Sequence, residues 1–300
     1  MSEERKADTC CCASCGTAEV DDVKLRACSS GCDLVKYCSD GCRENHKSEH
    51  EEECKKRVAE LRDELLFKQP ESTHMGDCPI CMVPLAFDSR RFMMYACCSK
   101  SICKSCTFMI AMREVEMRLR HSCPFCREPV QETDKQRMKR VEMNDPVAMY
   151  QEGMQQKKKG HYSRAFEYFT KAAELEDAQA HYQLALMYYG GVGAEKDEGK
   201  GIQHLEEAAI AGHPLARYNL GDCELLNNNL NFERAVKHWI IAAKQGFEES
   251  IEMLMKAFRD GFISKEVLTA TLRAHQTAVD ATKSPQRKKT EDFLGSVGLM

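Results

Sequence analysis

The chain has 300 residues, enough for about two domains, and its formal net charge is −4. It contains no apolar run near the roughly 18 residues of a membrane helix, and its first nine residues lack the apolar core of a secretory signal. The acidic balance disfavours a generally basic nucleic-acid binder. We therefore expect a cytoplasmic or nuclear protein that engages neither membranes nor nucleic acid.

Cysteine usage divides the chain in two. Of the 18 cysteines, all but Cys223 precede residue 127. In a reducing compartment, this density indicates metal binding rather than disulfides. The first 126 residues are therefore expected to fold around metal, and the remainder around a core of its own.

The first cluster, residues 10–54, carries four pairs of metal-ligand residues at short spacing: Cys12-x2-Cys15, Cys28-x3-Cys32, Cys38-x3-Cys42 and His50-x3-Cys54. Eight such ligands suit two tetrahedral zinc ions, and interleaved pairs make metal binding and folding one event. His46 to His50 also matches the H-x-x-E-H pattern of inverted zinc proteases. A catalytic zinc needs an open coordination position, which the finger-like spacing around this pattern does not favour.

This cluster resembles the MYND-type zinc finger, most specifically from Tyr37 to Cys54. The resemblance implies one zinc held by Cys12, Cys15, Cys38 and Cys42, and a second held by Cys28, Cys32, His50 and Cys54. Cys10 and Cys11 are surplus, and Cys11 is an alternative to Cys12. Arg43 and Lys47 replace the Gln and Trp that help line the family's peptide groove. The resemblance therefore predicts the metal sites, but it does not predict that this finger binds proline-rich peptides.

Residues 55–77 are predicted to form a charged helical linker, and residues 78–130 hold the second cysteine cluster. Within it, the stretch from Lys104 to Arg120 has the apolar spacing of a helix. The cluster consists of three clean pairs and a looser element: Cys78-x2-Cys81, Cys103-x2-Cys106, Cys123-x2-Cys126 and Cys97-Cys98.

The order of these pairs resembles a RING finger. The resemblance implies that one zinc is held by Cys78, Cys81, Cys103 and Cys106, and that a second is held in part by Cys98, Cys123 and Cys126. The remaining ligand of the second site is usually His, but Lys100 stands there, and a protonated Lys cannot bind zinc. Cys97 is the leading substitute and His121 the next, with an incomplete site as the other alternative. This finger is thus expected to hold one or two zinc ions.

RING fingers use zinc structurally and bind a ubiquitin-conjugating enzyme loaded with ubiquitin, whose thioester they hold in a reactive arrangement. The resemblance places the contacts with the conjugating enzyme at Ile80, Phe108, Pro124 and Arg127. The alternative interpretation is that each of these four residues is an ordinary packed or solvated side chain with no partner.

Residues 131–146 are predicted to form a charged linker helix, and from 147 to 281 the sequence repeats. The triplets that begin at Lys171, Glu207 and Ile241 recur at spacings of 36 and 34, which is typical of stacked helix pairs. The best unit, 178–213, resembles a Sel-1-like repeat, a relative of tetratricopeptide repeats, and such stacks bind protein segments.

A degenerate fourth unit is predicted around Phe258 to Gly261, followed by a helix from Ser264 to about Ala281. Residues 282–300 are predicted to be a polar, frayed tail, in which the basic run Arg287-Lys288-Lys289 is solvated. A targeting signal is the alternative interpretation of that run.

The sequence thus predicts small zinc-stabilised α+β fingers, a cross-braced MYND and a cross-braced RING, followed by an all-α solenoid of Sel-1-like helical repeats. Two zinc ions are expected in the first finger. The predicted function is that of a ubiquitin ligase without a covalent intermediate, in which the RING positions the conjugating enzyme and the repeats bind substrate. The alternative is a non-catalytic adaptor with a degenerate RING.

Overall fold

A computed structural model of the chain describes residues 11–19, 24–130, 133–226 and 230–296. The chain divides into two compact units between Lys68 and Gln69. Among the described residues, no helix combines the length and the apolar character needed to cross a membrane.

The first unit contains one short strand pair and one long helix. β1, Arg26–Ala27, pairs antiparallel with β2, Lys36–Tyr37, and the helix α1 spans Asp40–Leu66. The helix begins after Ser39, whose hydroxyl accepts a hydrogen bond from the backbone N–H of Cys42 at 3.2 Å.

Helix α1 has almost no apolar face. Its buried residues are His50, Cys54 and Leu66, two of which are predicted zinc ligands. The helix extends beyond the last predicted ligand of the finger and through much of the predicted linker 55–77. It is therefore held in place mainly by the groups that gather at its metal-ligand side chains.

The second unit begins at Gln69, and its residues 78–130 are what we call the second finger. A hairpin of β3, Phe92–Tyr95, and β4, Lys100–Cys103, leads into the helix α2, Lys104–Glu116. The helix ends four residues before the predicted Arg120. The core of this finger is made of cysteines together with Leu85, Tyr95 and Ile102.

Ten helices follow the second finger in the described residues, and the first nine pack mostly against their chain neighbours. These nine are α3 Thr133–Glu142, α4 Pro146–Lys158, α5 Tyr162–Ala173, α6 Ala178–Gly190, α7 Glu198–Ile210, α8 Pro214–Leu226, α9 Phe232–Lys244, α10 Glu249–Arg259 and α11 Lys265–Ala281. The region of the predicted fourth unit contains α10 and α11, and α11 begins after Ser264 and ends at Ala281, as the sequence indicated. The predicted linker helix 131–146 corresponds to α3, which packs against α4 as an extra layer of the stack.

Small residues allow the repeat helices to approach closely. The recurring alanines at 172–173, 208–209 and 242–243 are buried. A methyl group built on Gly221 would lie 2.4 Å from the indole nitrogen of Trp239, and one on Gly153 would lie 2.6 Å from the ring of Phe169. These positions therefore accept no larger side chain without repacking an aromatic ring.

The second finger and the segment that precedes it pack on the repeats through a group of aromatic and histidine rings. His74 stacks on His213 with ring centroids 4.3 Å apart, and Tyr182 stacks on His213 at 4.6 Å. Phe87 of the finger contacts both His213 and Phe247 of the repeats. Burial lowers the pKa of His74 to about 4 and holds that of His213 well below its ordinary value, so this contact is uncharged at neutral pH.

The predicted frayed tail is wrong for the part of it that the structure describes. Residues Pro285–Ser296 form a twelfth helix, α12, which packs against α2 of the second finger. Its buried side chains are Arg287, Thr290 and Leu294, at helical spacing. Because this face contains one aliphatic residue only, a search for apolar periodicity does not detect it. The basic run is likewise not uniformly solvated, since Arg287 is buried.

Candidate metal centres

The first finger gathers its predicted ligands into two groups. In each group the ligand atoms all lie within 4.8 Å of one another. One group contains Cys12, Cys15, Cys38 and Cys42, and the other contains Cys28, Cys32, His50 and Cys54. His50 and Cys54 lie one turn apart on α1, so the helix presents both to the same centre.

The spacing of the sulfur atoms fits tetrahedral zinc. Ligands about 2.3 Å from a tetrahedral ion lie about 3.8 Å from one another. The observed separations are 3.6 Å for Cys15–Cys38 and for Cys38–Cys42, and 3.7 Å for Cys28–Cys54. A disulfide needs about 2.05 Å. The cysteines of the described residues are free thiols, so the disulfide alternative does not apply to them.

The structure shows where the residues of two alternatives left open by the sequence lie. Cys12 is buried in the first group, whereas Cys11 is exposed and outside it. His46 also lies outside both groups, and its Nδ1 is 3.0 Å from the hydroxyl of Tyr37. His50 belongs to a group of four protein ligands, which is the arrangement of a structural zinc rather than a protease centre. Cys10 lies outside the described residues.

The second finger forms a third group from Cys78, Cys81, Cys103 and Cys106. The sulfurs of Cys81 and Cys103 are 3.8 Å apart, again the edge of a zinc tetrahedron. The backbone N–H of Cys103 donates to the sulfur of Cys78, and that of Cys106 donates to Cys103, both at 3.4 Å. Such donors stabilise thiolates, the form in which cysteine binds metal.

Backbone N–H donors also lower the pKa of the first cysteine in two of these groups, Cys78 and Cys12. Burial raises the pKa of Cys78, but hydrogen bonds from the N–H groups of Cys103, Cys81 and Ile80 outweigh it and bring the pKa to about 7. Burial likewise raises the pKa of Cys12, and backbone donors bring it to about 6. Both thiols therefore ionise readily near neutral pH, where a zinc ion would find thiolates.

A fourth group contains Cys97, Cys98, Cys123 and Cys126, so Cys97 occupies the position for which the sequence offered alternatives. His121 is directed elsewhere, since its Nδ1 lies 2.6 Å from a carboxylate oxygen of Glu114. Lys100 places its ammonium 4.7 Å from the ring centroid of Phe125, a cation–π arrangement. Cys97 and Cys98 are adjacent and precede Ser99, which has a positive φ of 56°.

The residues expected to contact a conjugating enzyme differ in accessibility. Ile80 is 43% exposed between the first two ligands, and Pro124 and Arg127 are exposed at the last pair. Phe108 is half-buried on α2, where its ring lies 5.4 Å from that of Phe293 in α12. Three of the four side chains are thus open to a partner, and the fourth already contacts the chain itself.

Comparison with known families matches two parts of this chain. The model for the MYND finger matches residues 12–54, and that for the Sel1 repeat matches 148–177, 178–213 and 214–247. The chain therefore carries an N-terminal MYND finger and three Sel1 repeats, and the matched repeats end at residue 247, whereas the sequence prediction extends to 281. The MYND match and the ligand groups together support zinc binding.

Among solved structures, the chain is similar to a Sel1 repeat protein from Oxalobacter formigenes, with 18% identity and a TM-score of 0.42, over 57% of this chain and 71% of that one. It is also similar to c5321, a protective antigen present in uropathogenic Escherichia coli strains and displaying an SLR fold. That match has 20% identity and a TM-score of 0.37, over 54% of this chain and 36% of that one.

Proposed function

We propose that this protein is a zinc-dependent ubiquitin ligase in which the second finger is a RING finger and the Sel1 repeats select the substrate. The observation that carries the proposal is the interleaving of ligands in the second finger. Its first and third cysteine pairs form one group of four sulfurs, and Cys97–Cys98 and the last pair form the other. Interleaved pairs of this kind are what a cross-braced RING requires.

The zinc ions of such a finger have a structural role. Each ligand group offers four protein sulfurs, so a bound tetrahedral ion has no open position for substrate or water. The rate enhancement would come from orientation of the loaded conjugating enzyme, whose thioester is held for attack by a substrate amine.

The contact surface that we propose for the conjugating enzyme consists of Ile80, Pro124 and Arg127. The exposed Ile80 would enter an apolar contact beside the zinc loop, and the planar guanidinium of Arg127 could donate to the enzyme and to ubiquitin together. Phe108 is expected to contribute less than these three because Phe293 already covers part of its ring.

The contact between the second finger and the repeats supports a fixed distance between a conjugating enzyme bound to the finger and a substrate bound to the repeats. His74 and Phe87 pack on His213 in a buried, uncharged group of rings. A substrate segment held on the repeats would therefore stay at a constant distance from a conjugating enzyme on the finger.

A non-catalytic adaptor is the second candidate, and one observation favours it. Lys100 stands where a RING ligand is expected, and Cys97, directly adjacent to Cys98, takes its place in the sulfur group. Both sulfurs must reach one ion from neighbouring residues. If that geometry fails to hold zinc, the finger loses one of its two ions and serves binding alone.

The test is discharge of ubiquitin from a panel of loaded conjugating enzymes onto free lysine. Intact protein should accelerate discharge by at least one member of the panel. Ile80→Ala should reduce that acceleration by about tenfold or more, since an exposed anchor residue at a small interface contributes about 1.4 kcal/mol or more. Arg127→Ala should act in the same direction.

Met93→Ala is the matched control, because Met93 is a comparably exposed apolar residue of the same finger that lies on β3 and outside the proposed contact surface. It should leave discharge unchanged. Absence of acceleration across the panel, with zinc bound, would exclude the ligase and favour the adaptor.

A further inference from the structure

We propose that α12 is part of the first metal centre of the second finger, with the Arg287 guanidinium as a fixed cation that hydrogen-bonds the zinc ligand Cys81. This rests on zinc binding by Cys78, Cys81, Cys103 and Cys106, but not on ligase activity. The C-terminal helix, which lies about 200 residues later in the sequence, would thereby help the finger retain its ion.

Arg287 is inserted into the loop that follows the second ligand. Its Nη2 donates to the sulfur of Cys81 at 3.3 Å and to the carbonyl of Val83 at 2.8 Å. Its Nη1 donates to the carbonyls of Pro84 and Thr282, at 2.6 and 2.7 Å. One buried side chain of α12, 7% exposed, thus joins the zinc loop to the end of α11.

Charge explains why a guanidinium belongs at this position. A zinc ion held by four thiolates carries a net charge of about −2, which is costly to bury without a compensating cation. Within the described residues, no ion pair with a carboxylate is formed by the Arg287 guanidinium, which instead faces the sulfurs of Cys81 and Cys103. The centre and the cation each offset the burial of the other.

Helix α12 holds the guanidinium in place through contacts along its length. The Ser284 hydroxyl caps the helix by accepting the N–H of Arg287 at 3.1 Å. The hydroxyl of Ser105, on α2, donates to the Arg287 carbonyl at 3.4 Å. Further along, Phe293 contacts Phe108 and Leu294 is buried. The helix is therefore a scaffold for Arg287 rather than a solvated end.

The fourth group of the chain, built around Cys97, provides an internal comparison. Lys100, which lies on the strand after Cys97 and Cys98, places its ammonium over the Phe125 ring rather than on a sulfur. Loss of Arg287 should consequently affect one zinc ion of the finger and leave the other unchanged.

The experiment measures zinc transfer from the full-length chain to a chromogenic chelator, with the total zinc content determined beforehand. Arg287→Met keeps the apolar stem and removes every donor. We expect it to release one zinc ion about 10- to 100-fold faster than the wild type, the usual effect of removing a group that hydrogen-bonds a metal ligand. Arg287→Lys should release this zinc ion at a rate between those of the wild type and Arg287→Met, because it retains the charge but not the planar, forked set of donors. Lys288→Met, an exposed neighbour on the same helix, is the matched control and should release zinc at the wild-type rate.

Phe293→Ala distinguishes the effect of the guanidinium from that of the helix, because it weakens the contact of α12 with α2 while keeping Arg287. Equal acceleration by Phe293→Ala and Arg287→Met would overturn the assignment to the guanidinium, as would a wild-type rate in Arg287→Met. If Arg287→Met does not fold, the zinc-release rate of Arg287→Lys is compared with that of Phe293→Ala instead, and equal rates would again overturn the assignment to the guanidinium. A wild-type chain that lacks this zinc ion altogether would refute the metal centre itself, a result distinct from any failure of ubiquitin discharge.

Discussion

Replacement of Cys103 by Ser is expected to unfold the second finger and to remove the zinc ions that it holds. The residue is 3% exposed and acts at three levels: it ends β4, it caps α2 by accepting the N–H of Cys106, and it supplies a sulfur to the third ligand group. A structural zinc ion contributes roughly 10–16 kcal/mol to the folding of a small finger, as much as the whole stability of an ordinary domain. The cysteine-rich core of residues 78–130 has little apolar packing to replace it.

Metal analysis and limited proteolysis of the full chain would measure this effect. The variant should lose the zinc ions of the second finger and become cleavable within it, while most of the helical circular dichroism, which comes from the repeats, is retained. Cys223→Ser is the matched control, since Cys223 lies on α8 beside the Tyr189 hydroxyl, outside every ligand group in the described residues. Equal zinc content and equal resistance to protease in Cys103→Ser would contradict the metal-dependent fold.

Removal of the Glu152 carboxylate is expected to destabilise the N-terminal end of the repeats by about 3 kcal/mol. Arg137 of α3 donates to Glu152 of α4 at 2.8 Å, and their side chains are only 9% and 7% exposed. Glu152→Ala leaves the guanidinium buried with Asp134 as its remaining described carboxylate partner, and that carboxylate is largely exposed. Breaking one side of a buried pair costs about 3–5 kcal/mol, and Asp134 places the expected value at the lower end.

The matched comparison is the double variant Arg137→Met/Glu152→Leu. Replacement of both buried charges by apolar groups of similar size often leaves stability unchanged, so the double variant should recover most of the loss. Urea unfolding followed by far-ultraviolet circular dichroism would measure both. A Glu152→Ala variant as stable as the wild type, or a double variant no better than the single one, would show that the pair does not hold α3 on the stack.

The metal ligands were predictable because their spacing is local. Two cysteines separated by two or three residues reach one ion whatever the rest of the fold does. Cys97 was predicted only as a leading alternative. Whether its sulfur joins the fourth group depends on the backbone conformation of the turn after β3, and the spacing of residues in the sequence does not reveal that conformation. The repeats were predictable for a related reason, since each unit repeats the same small residues at helix crossings.

The contacts that join the parts of the second unit were not predictable. His74 lay in a predicted linker and His213 in a turn, and isolated histidines have no periodicity that would reveal their stacking. Helix α3 was expected to be a linker because its one firmly buried side chain is a charged residue, Arg137. The C-terminal helix was expected to be a frayed tail for the same reason, since Arg287 supplies most of its buried polar contacts.

The most direct test of this account is the zinc content of the full-length chain, counted by native mass spectrometry after purification without chelator. Four ligand groups predict four zinc ions per chain. Cys97→Ser should lower the count to three, because Cys97 is the sulfur that completes the group in which Lys100 takes no part. A wild-type count of three that Cys97→Ser leaves unchanged would contradict a complete cross-braced second finger.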